Sequence, residues 1–298
     1  MENYDDIFSG AAASQPDEGT FDKEAWAAKK KAERDSVYAL IDQYVSDMSV
    51  DGGVFQAYLD VQARFDRYSV SNAVLIAAQC PEATRLMDFD GWKASGVYVK
   101  RGEDAITILE PGKEYTREED GSTGVYYNPK KVFDISQTNS RQRPAPVVAR
   151  DERLLLKALI NNAPCKIAVS ASLPDNLTAM YQPEQNVVLV RSGMDAPALF
   201  RSVAQELTRA HLDKGGYTCK NPGFVAYSVA YMLCQRNGVD VGVFQFERIP
   251  EEYAQMEAQD LRAELGAMRD VAGEITADMN RVFETQEKGQ KHRDEGAR

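Results

Sequence analysis

The sequence is poor in the residues on which most metal and nucleophilic sites depend. It has two histidines, His211 and His292, and four cysteines, which stand at positions 80, 165, 219 and 234 without a CxxC pair. Four scattered cysteines in a chain of 298 residues do not make a disulfide scaffold. We therefore expect reduced thiols in a cytoplasmic protein, with few histidines available to any metal or acid–base site.

Long apolar runs and an excess of positive charge are also missing. No stretch approaches the roughly 18 apolar residues that a membrane span needs, and the acidic start Met-Glu-Asn-Tyr-Asp-Asp has no apolar signal core. We expect neither a membrane anchor nor secretion. Lys and Arg number 35 against 46 Asp and Glu, a net charge of −11. Proteins dominated by nucleic-acid contacts are usually basic, so any such site here must be local.

The chain does contain enough apolar material for a sizeable core, since 43% of its residues are hydrophobic. Its acidity is concentrated at the two ends, where residues 1–25 carry a net charge of −6 and residues 251–298 carry −5. Residues 26–147 and 148–250 carry −2 and +2. The middle of the chain can therefore hold a local basic groove, which the overall field does little to support.

Hydrophobic periodicity predicts a mainly helical beginning followed by short strands. Apolar residues at three- and four-residue spacing predict helices over residues 23–48, 54–68, 71–79 and 90–95. Short β-like runs follow at residues 97–99, 105–109 and 131–135. The charged stretch 113–128 between the last two runs is typical of a long hairpin loop.

The second half mixes helices and strands again. The pattern predicts strands at residues 165–170, 179–181 and 187–191, the last two as a hairpin. It predicts helices over residues 152–161, 197–213 and 224–237, and from residue 250 to about 285, with frayed residues 286–298. We predict an α+β fold with two domains, the first of helices with a small sheet, and an extra C-terminal helix.

Composition sets the expected boundaries. A Pro- and Arg-containing stretch at residues 138–146 is typical of a linker between domains. The predicted organisation begins with a disordered acidic tail (residues 1–22) and a first domain (residues 23–140). A second domain (residues 150–249) and a charged helical C-terminal extension (residues 250–298) follow.

A series of residues in the first domain has a recognisable order and spacing: Tyr68-Ser69, Asn72, Leu75-Ile76, Gln79, Pro81-Glu82-Ala83-Thr84, Trp92, Gly96, Val99-Lys100, Gly102-Glu103 and Ile106-Thr107-Ile108-Leu109. Together with the run from Val132 to Thr138, it resembles the N-terminal domain of the ArdC-type antirestriction proteins. That family belongs to conjugative plasmids and other mobile genetic elements. The resemblance implies that the first domain binds single-stranded DNA.

The second half resembles the zincin-like metallopeptidase domain of the same family, but its zinc motif is altered. That motif is His-Glu-x-x-His, whose two histidines hold zinc on one helix face while the glutamate polarises a bound water. Gln205, Glu206 and Arg209 stand at those three positions here. A neutral amide is a poor zinc ligand and a guanidinium is not one. His211 lies roughly 120° around the helix from Gln205 and cannot replace it.

The third zinc ligand expected from the resemblance is also absent, because residues 225–228 contain no acid. The resemblance therefore implies a peptidase fold without metal or other cofactor and without catalysis, in which a vestigial Glu206 pairs with Arg209 or another cation. A replacement nucleophile would need a base beside it, and His211 with Cys219 or Cys234 is the conceivable pair. The simpler alternative makes His211 a surface residue near a helix end and the cysteines small core residues.

Non-specific binding of single-stranded DNA requires cations along the phosphates and aromatic faces for the bases. The candidate cations are Arg64, Arg67, Arg85, Lys93, Lys100, Arg101, Lys130 and Lys131, with Arg141 and Arg143 beyond them. The candidate aromatic residues are Tyr68, Trp92, Tyr98, Tyr126 and Tyr127, and Asn72 is a further candidate contact.

Each candidate also has a structural interpretation. Trp92 and Tyr68 are large enough to be core residues. Ser69 is placed to cap the helix that follows it, and Asn72 to tie that helix to a neighbouring strand. Tyr98 lies between two valines, so alternation places it on the opposite face from them and makes it the better stacking candidate.

The resulting hypothesis is a cytoplasmic single-stranded-DNA-binding protein of the antirestriction type, which protects incoming DNA from host defence or blocks a nuclease by contact. One alternative is an acidic interaction protein that occupies a host nuclease or defence protein by imitating phosphate charges. The other is an active metallopeptidase with an unusual metal site. Neither a membrane partner nor a particular oligomeric state is predicted.

Overall fold

A computed structural model describes residues 22–116, 121–141 and 150–296 of the chain. It has the predicted α+β fold, with two separate three-stranded sheets and helices packed against them. The expected tail at residues 1–22 lies outside the described residues except for Asp22, and most of the expected linker, residues 142–146, lies outside them as well. Among the described residues, none of the helices is long and apolar enough to cross a bilayer.

The first part of the chain is helical because each apolar-periodic segment is preceded by a capping side chain. Asp22, Asp51, Ser69 and Asp88 accept hydrogen bonds from the first free backbone N–H groups of the four helices. Ser69 therefore has the capping role expected from the sequence. These helices are α1 (Lys23–Met48), α2 (Gly52–Arg64), α3 (Val70–Gln79) and α4 (Phe89–Ala94).

The first sheet is antiparallel, with the order β1-β3-β2. Its strands are β1 (Leu86–Met87), β2 (Ile106–Thr116) and β3 (Thr123–Asp134). The loop expected over residues 113–128 is wrong for most of its length, because β2 and β3 continue outward as a two-stranded ribbon with a bulge between Pro111 and Glu114. The run at residues 97–99 forms a single bridge, Val99 to Thr138, rather than a strand.

The second sheet has the order β4-β6-β5, with β4 parallel and β5 antiparallel to β6. The predicted helices and strands of the second half are present, but the helix expected from residue 250 is interrupted at residues 255–257. The last helix was expected to end near residue 285 but continues to Gly296. The elements are α5 (Glu152–Ile160), β4 (Lys166–Ser170), β5 (Ala179–Gln182), β6 (Val187–Arg191), α6 (Ala196–Lys214), α7 (Pro222–Asn237), α8 (Glu251–Ala254) and α9 (Ala258–Gly296).

The two halves share one connected hydrophobic core. Helix α2 packs against α7, and α9 packs against both α7 and α5. Phe55 of α2 lies 5.2 Å from the ring of Phe224 and 5.9 Å from that of Phe246. Gly52 permits this approach, because a Cβ there would overlap the Phe246 carbonyl. Apolar packing of α2 therefore helps to join the first half of the chain to the second.

Candidate nucleic-acid interface and the Glu206 cleft

The candidate interface is built around a buried carboxylate, that of Asp134, which is 1% exposed. Its Oδ1 accepts hydrogen bonds from the backbone N–H groups of Thr84 (2.7 Å) and Arg85 (2.9 Å), and its Oδ2 accepts one from Ser136 (2.8 Å). Burial alone would raise the pKa of Asp134, but the hydrogen bonds from Ser136, Arg85 and Thr84 outweigh it and lower that pKa. The ionised side chain thereby fastens the end of β3 to the segment before β1.

Trp92 belongs to the core beneath this surface, which corrects its assignment as a contact for DNA. Its ring is 1% exposed, and its Nε1–H donates to the carbonyl of Phe133 over 2.9 Å. The exposed Arg85 places its guanidinium 5.4 Å from the ring centroid. Trp92 therefore supports Arg85 by a cation–π contact and cannot itself reach a base.

The turn after α4 presents the most exposed of the predicted aromatic residues. Tyr98 is 56% exposed, and its backbone is fixed by Asn139, which accepts from the Tyr98 N–H and donates to the Tyr98 carbonyl, both over 2.9 Å. Lys100 Nζ donates to the Ser136 carbonyl (2.8 Å), while Arg101 is exposed without a hydrogen bond or ion pair in the described part of the chain. We call the exposed residues of this region the Tyr98 surface: Arg85, Lys93, Tyr98, Lys100 and Arg101.

The candidates near α2 are partly committed to local structure. Arg64 donates from Nε to the Ala83 carbonyl (3.1 Å) and from Nη2 to the Pro81 carbonyl, so its guanidinium holds that loop. Tyr68 is half-buried with its ring edge-on to Phe65, and burial raises its pKa. Arg67 is exposed and has no hydrogen-bond partner among the described residues.

Asn72 proves to be a structural residue, as its alternative interpretation predicted. Its side-chain amide is buried, accepts from the Leu109 N–H (2.7 Å) and donates to the Leu109 carbonyl (2.9 Å). Gln79, two turns later on α3, makes the same pair of bonds with Thr107, both over 2.9 Å. These amides satisfy the free edge of β2 as a further strand would. Asn72 is therefore not a surface contact for DNA.

Lys130 and Lys131 have different environments despite being neighbours. Lys130 Nζ lies 2.8 Å from Glu110 Oε1 and 3.2 Å from Asp88 Oδ2, and hydrogen bonds to these carboxylates raise the pKa of the lysine. A phosphate would have to compete with two anions for Lys130. Lys131 points to the other face of β3, is exposed, and has no ion pair within the described ranges.

The ribbon formed by the outer parts of β2 and β3 carries exposed tyrosines. Tyr126 is 51% exposed and stacks with Tyr115, with ring centroids 4.2 Å apart. Tyr127 is exposed on the opposite face. Sequence reasoning missed Tyr115. Its ring lies over its cross-strand partner Gly124, which leaves room for it, and this pairing becomes visible only once the strand register is known.

A cleft of about 500 Å³ opens in the second half where α6 faces β5 and the start of α7. Glu206 lies on its floor, with Oε2 accepting the Tyr181 N–H (2.8 Å) and Oε1 lying 3.3 Å from Arg209 Nε. The pKa of Glu206 is raised by burial, which outweighs the Tyr181 hydrogen bond and the Arg209 charge. The expected pairing of Glu206 with Arg209 is thus present in the structure.

The residues of this cleft do not fit a zinc site. Both Glu206 oxygens are engaged, and the neighbouring group is a guanidinium, which repels a metal ion. Gln205 offers only an amide. Among the described residues, the structure contains no cluster of three or more His, Cys, Asp or Glu side chains arranged to hold a metal.

His211 has a carboxylate partner, and burial disfavours ionisation of the two thiols that could pair with it. His211 Nδ1 lies 3.1 Å from Glu274 Oε2, and burial lowers the pKa of the imidazole despite that carboxylate. Burial raises the pKa of Cys219 to about 11 and that of Cys234 to about 12. Reactive thiols require a lowered pKa, so these thiols are the opposite of activated nucleophiles.

Residues 39–148 match the family model described as the N-terminal domain of the anti-restriction factor ArdC. The fold matches the metal-free crystal structure of the antirestriction ArdC protein from plasmid R388, with a TM-score of 0.52 and 17% identity over 72% of this chain and 86% of that one. The Mn(II)-bound structure of the same protein matches with a TM-score of 0.49 and 16% identity over 74% and 97%. No curated protein matches the chain.

The metal-free structure aligns with 72% of this chain, a larger share than residues 39–148 make up, so the fold likeness extends beyond the matched domain. At this level of identity the likeness concerns the fold alone. Both sequence-based expectations at the level of the fold, the mixed α+β architecture and the ArdC-type resemblance, are confirmed.

Proposed function

We propose that this chain, which is an ArdC-type protein, binds single-stranded DNA through its first half. The proposed contacts are the Tyr98 surface, Lys131 of β3 and the exposed tyrosines of the ribbon. Arg64 and Lys130 take a smaller part because their charged groups already have partners. Protection of incoming DNA from host defence is the antirestriction role that this binding would serve.

The observation that carries the proposal is an exposed tyrosine in a region of exposed cations, within the half that matches the ArdC domain. Tyr98 is 56% exposed on a backbone held at both its N–H and its carbonyl by Asn139. Because the backbone is already held, only the side chain loses freedom when a base stacks on the ring. Arg101 and Lys93 supply charges for the flanking phosphates. Glu103 and Asp104 follow in the same turn and limit the net positive field, so the affinity should be modest and should fall as salt screens the phosphate contacts.

The test is a titration of a fluorescent single-stranded oligonucleotide followed by anisotropy at two salt concentrations, with a duplex of the same sequence for comparison. We expect binding at micromolar concentration or tighter that prefers the single strand and weakens with salt. Reversing the charge of Lys100 and Arg101 to Glu should weaken binding about tenfold, since two phosphate contacts are replaced by repulsion. Replacing Tyr98 by Ala should reduce the preference for the single strand.

A matched control reverses two exposed lysines of the second half, Lys214 and Lys220, to Glu. It changes the net charge equally but alters no residue of the proposed interface. Equal weakening in both double variants would mean that only net charge matters. If the wild-type chain ignores oligonucleotides at low salt, the proposal fails, and the acidic interaction protein becomes the better hypothesis.

We propose in addition that the second half has no peptidase activity. The guanidinium of Arg209 lies beside Glu206, where a peptidase of this kind would hold a metal ion, and this geometry supports the proposal. Purification in unchelated buffer should yield less than about 0.1 zinc per chain. Stoichiometric zinc, with proteolysis that disappears in Glu206→Gln, would favour the unusual metallopeptidase instead.

A further inference from the structure

A groove of about 980 Å³ runs between α5 and the C-terminal part of α9. Arg153 and Lys157 line it from α5, and Arg281 lines it from α9. We propose that this groove is a second contact surface for nucleic acid, one that binds the phosphates of a strand. The identity of the ligand rests on the function proposed for the first half, whereas the location lies wholly outside the ArdC-type domain.

The α5 wall offers two cations without partners. Arg153 and Lys157 are one helical turn apart, so their side chains lie on the same face of α5. Both are exposed, and neither forms a hydrogen bond or ion pair with another described residue. Lys130 of the first sheet pairs with a carboxylate. Arg153 and Lys157 have no such partner among the described residues, although the chain carries a net charge of −11.

The opposite wall is held in place by a buried carboxylate. Asp278 is 8% exposed, and one of its oxygens pairs with Arg281 while the other accepts from Asn162 Nδ2 over 3.2 Å. Asn162 leads out of α5, so this hydrogen bond joins the two walls. The side chain of Arg281 is nevertheless 65% exposed, which leaves part of its guanidinium for a ligand.

The lining indicates which part of a nucleic acid would bind. Among the described lining residues, Arg153, Lys157 and Arg281 are accompanied by one carboxylate, Asp151, whose Oδ1 is occupied as the cap of α5 by the Leu154 N–H at 3.1 Å. None of these described lining residues is aromatic. Guanidinium groups bind phosphate oxygens in pairs, but stacking on bases requires a ring. The groove should therefore hold the backbone and not distinguish single strands from duplexes.

The experiment compares the full-length chain with a groove variant, Arg153→Glu with Lys157→Glu, in anisotropy titrations of the same single-stranded and duplex oligonucleotides. We expect binding of both probes to weaken about three- to tenfold, because two phosphate contacts are lost. The plot of log affinity against log salt concentration should become shallower by about 1.4 for the single strand. The milder pair Arg153→Gln with Lys157→Gln should give a smaller change in the same direction and guards against misfolding.

The Lys214→Glu and Lys220→Glu control separates a local contact from net charge. A groove variant that binds like this control overturns the inference. If Lys100→Glu with Arg101→Glu weakens binding while the groove variant does not, the proposed function stands and the groove fails. If the groove variant alone weakens binding, the groove stands and the Tyr98 surface fails. Poly-glutamate serves as a second probe, a polyanion without phosphates. If the groove variant loses affinity for poly-glutamate but keeps its affinity for DNA, the proposed ligand of the groove is wrong.

Discussion

The two halves of the molecule treat a buried carboxylate in opposite ways. Asp134 accepts three backbone N–H groups, and its pKa is lowered although burial acts against ionisation. Glu206 accepts one N–H and lies beside a guanidinium without an aligned hydrogen bond, and its pKa is raised by burial. The three backbone donors around Asp134 favour its ionised form more strongly than one backbone donor and a neighbouring guanidinium favour that of Glu206.

The same contrast extends to the edges of the two sheets. On β2, the amides of Asn72 and Gln79 satisfy both the N–H and the carbonyl of the residues that they face. On β5, Glu206 can satisfy only the N–H of Tyr181, because an ionised carboxylate donates nothing. In the first half, side-chain amides therefore satisfy backbone groups of the edge strand β2. In the second half, the edge strand β5 lies beside an open cleft.

The contrast predicts that Asp134 is the more important carboxylate for stability. Asp134→Ala leaves three partly buried N–H groups without an acceptor and should lower the free energy of unfolding by about 3 kcal/mol. Asp134→Asn keeps one oxygen acceptor and should cost about half as much. Urea unfolding followed by circular dichroism measures both values. A loss below about 1 kcal/mol in Asp134→Ala would show that water replaces the carboxylate there.

The edge of β2 provides a second, smaller test with two matched amides. Asn72→Ala should lower the free energy of unfolding by about 2–3 kcal/mol, since the Leu109 groups become buried and unpaired. Gln79→Ala should cost about 0.5–1 kcal/mol, because water can reach Thr107 at the exposed Gln79 position. Equal losses in urea unfolding would contradict the idea that burial sets the difference.

Some parts of the fold could be predicted from the sequence and others could not, for physical reasons. Helices α1 and α3 follow from local signals, namely an apolar stripe and a capping residue such as Ser69. The outward ribbon did not, because an exposed strand pair alternates polar residues and tyrosines on both faces and lacks an apolar face. The structural role of Asn72 was foreseen as an alternative, but its partner Leu109 lies 37 residues away.

Residues of the candidate site show the same limit. Arg85 and Trp92 belong to one cation–π pair, yet only the fold reveals that one is exposed and the other buried. Lys130 and Lys131 are alike in sequence, but the register of β3 directs the first toward Asp88 and Glu110 and the second to solvent. Charge and aromatic content can nominate such residues, and tertiary neighbours decide which remain free.

The opposite pKa directions predict opposite pH dependences. Because the folded pKa of Asp134 is lowered, its stabilisation is complete above the ordinary value of about 3.9 and is lost as the pH falls through the folded value. For Glu206 the folded pKa is raised, so ionisation in the fold costs stability as the pH rises above about 4.3. The stability advantage of the wild type over Asp134→Asn should shrink below pH 4, while that over Glu206→Gln should shrink as the pH rises toward neutrality.

The measurement is urea unfolding of the three proteins across the acidic range, with each variant compared with the wild type at the same pH. Comparison at equal pH cancels the titration of all other carboxyl groups that the variants share. Parallel curves for both variants would mean that the two carboxylates share one environment, contrary to the observed contacts.

The smallest effects are expected in the cleft. Arg209 is 40% exposed, so its attraction to Glu206 is screened, and Arg209→Met should lower the free energy of unfolding at neutral pH by about 0.5 kcal/mol. Glu206→Gln keeps an oxygen for the Tyr181 N–H and removes a poorly solvated charge, so it should be neutral or slightly stabilising. In a double-mutant cycle the coupling between the two should stay below about 1 kcal/mol. A larger coupling would mean that the guanidinium stabilises Glu206 as well as backbone donors stabilise Asp134, and the contrast between the two halves would then disappear.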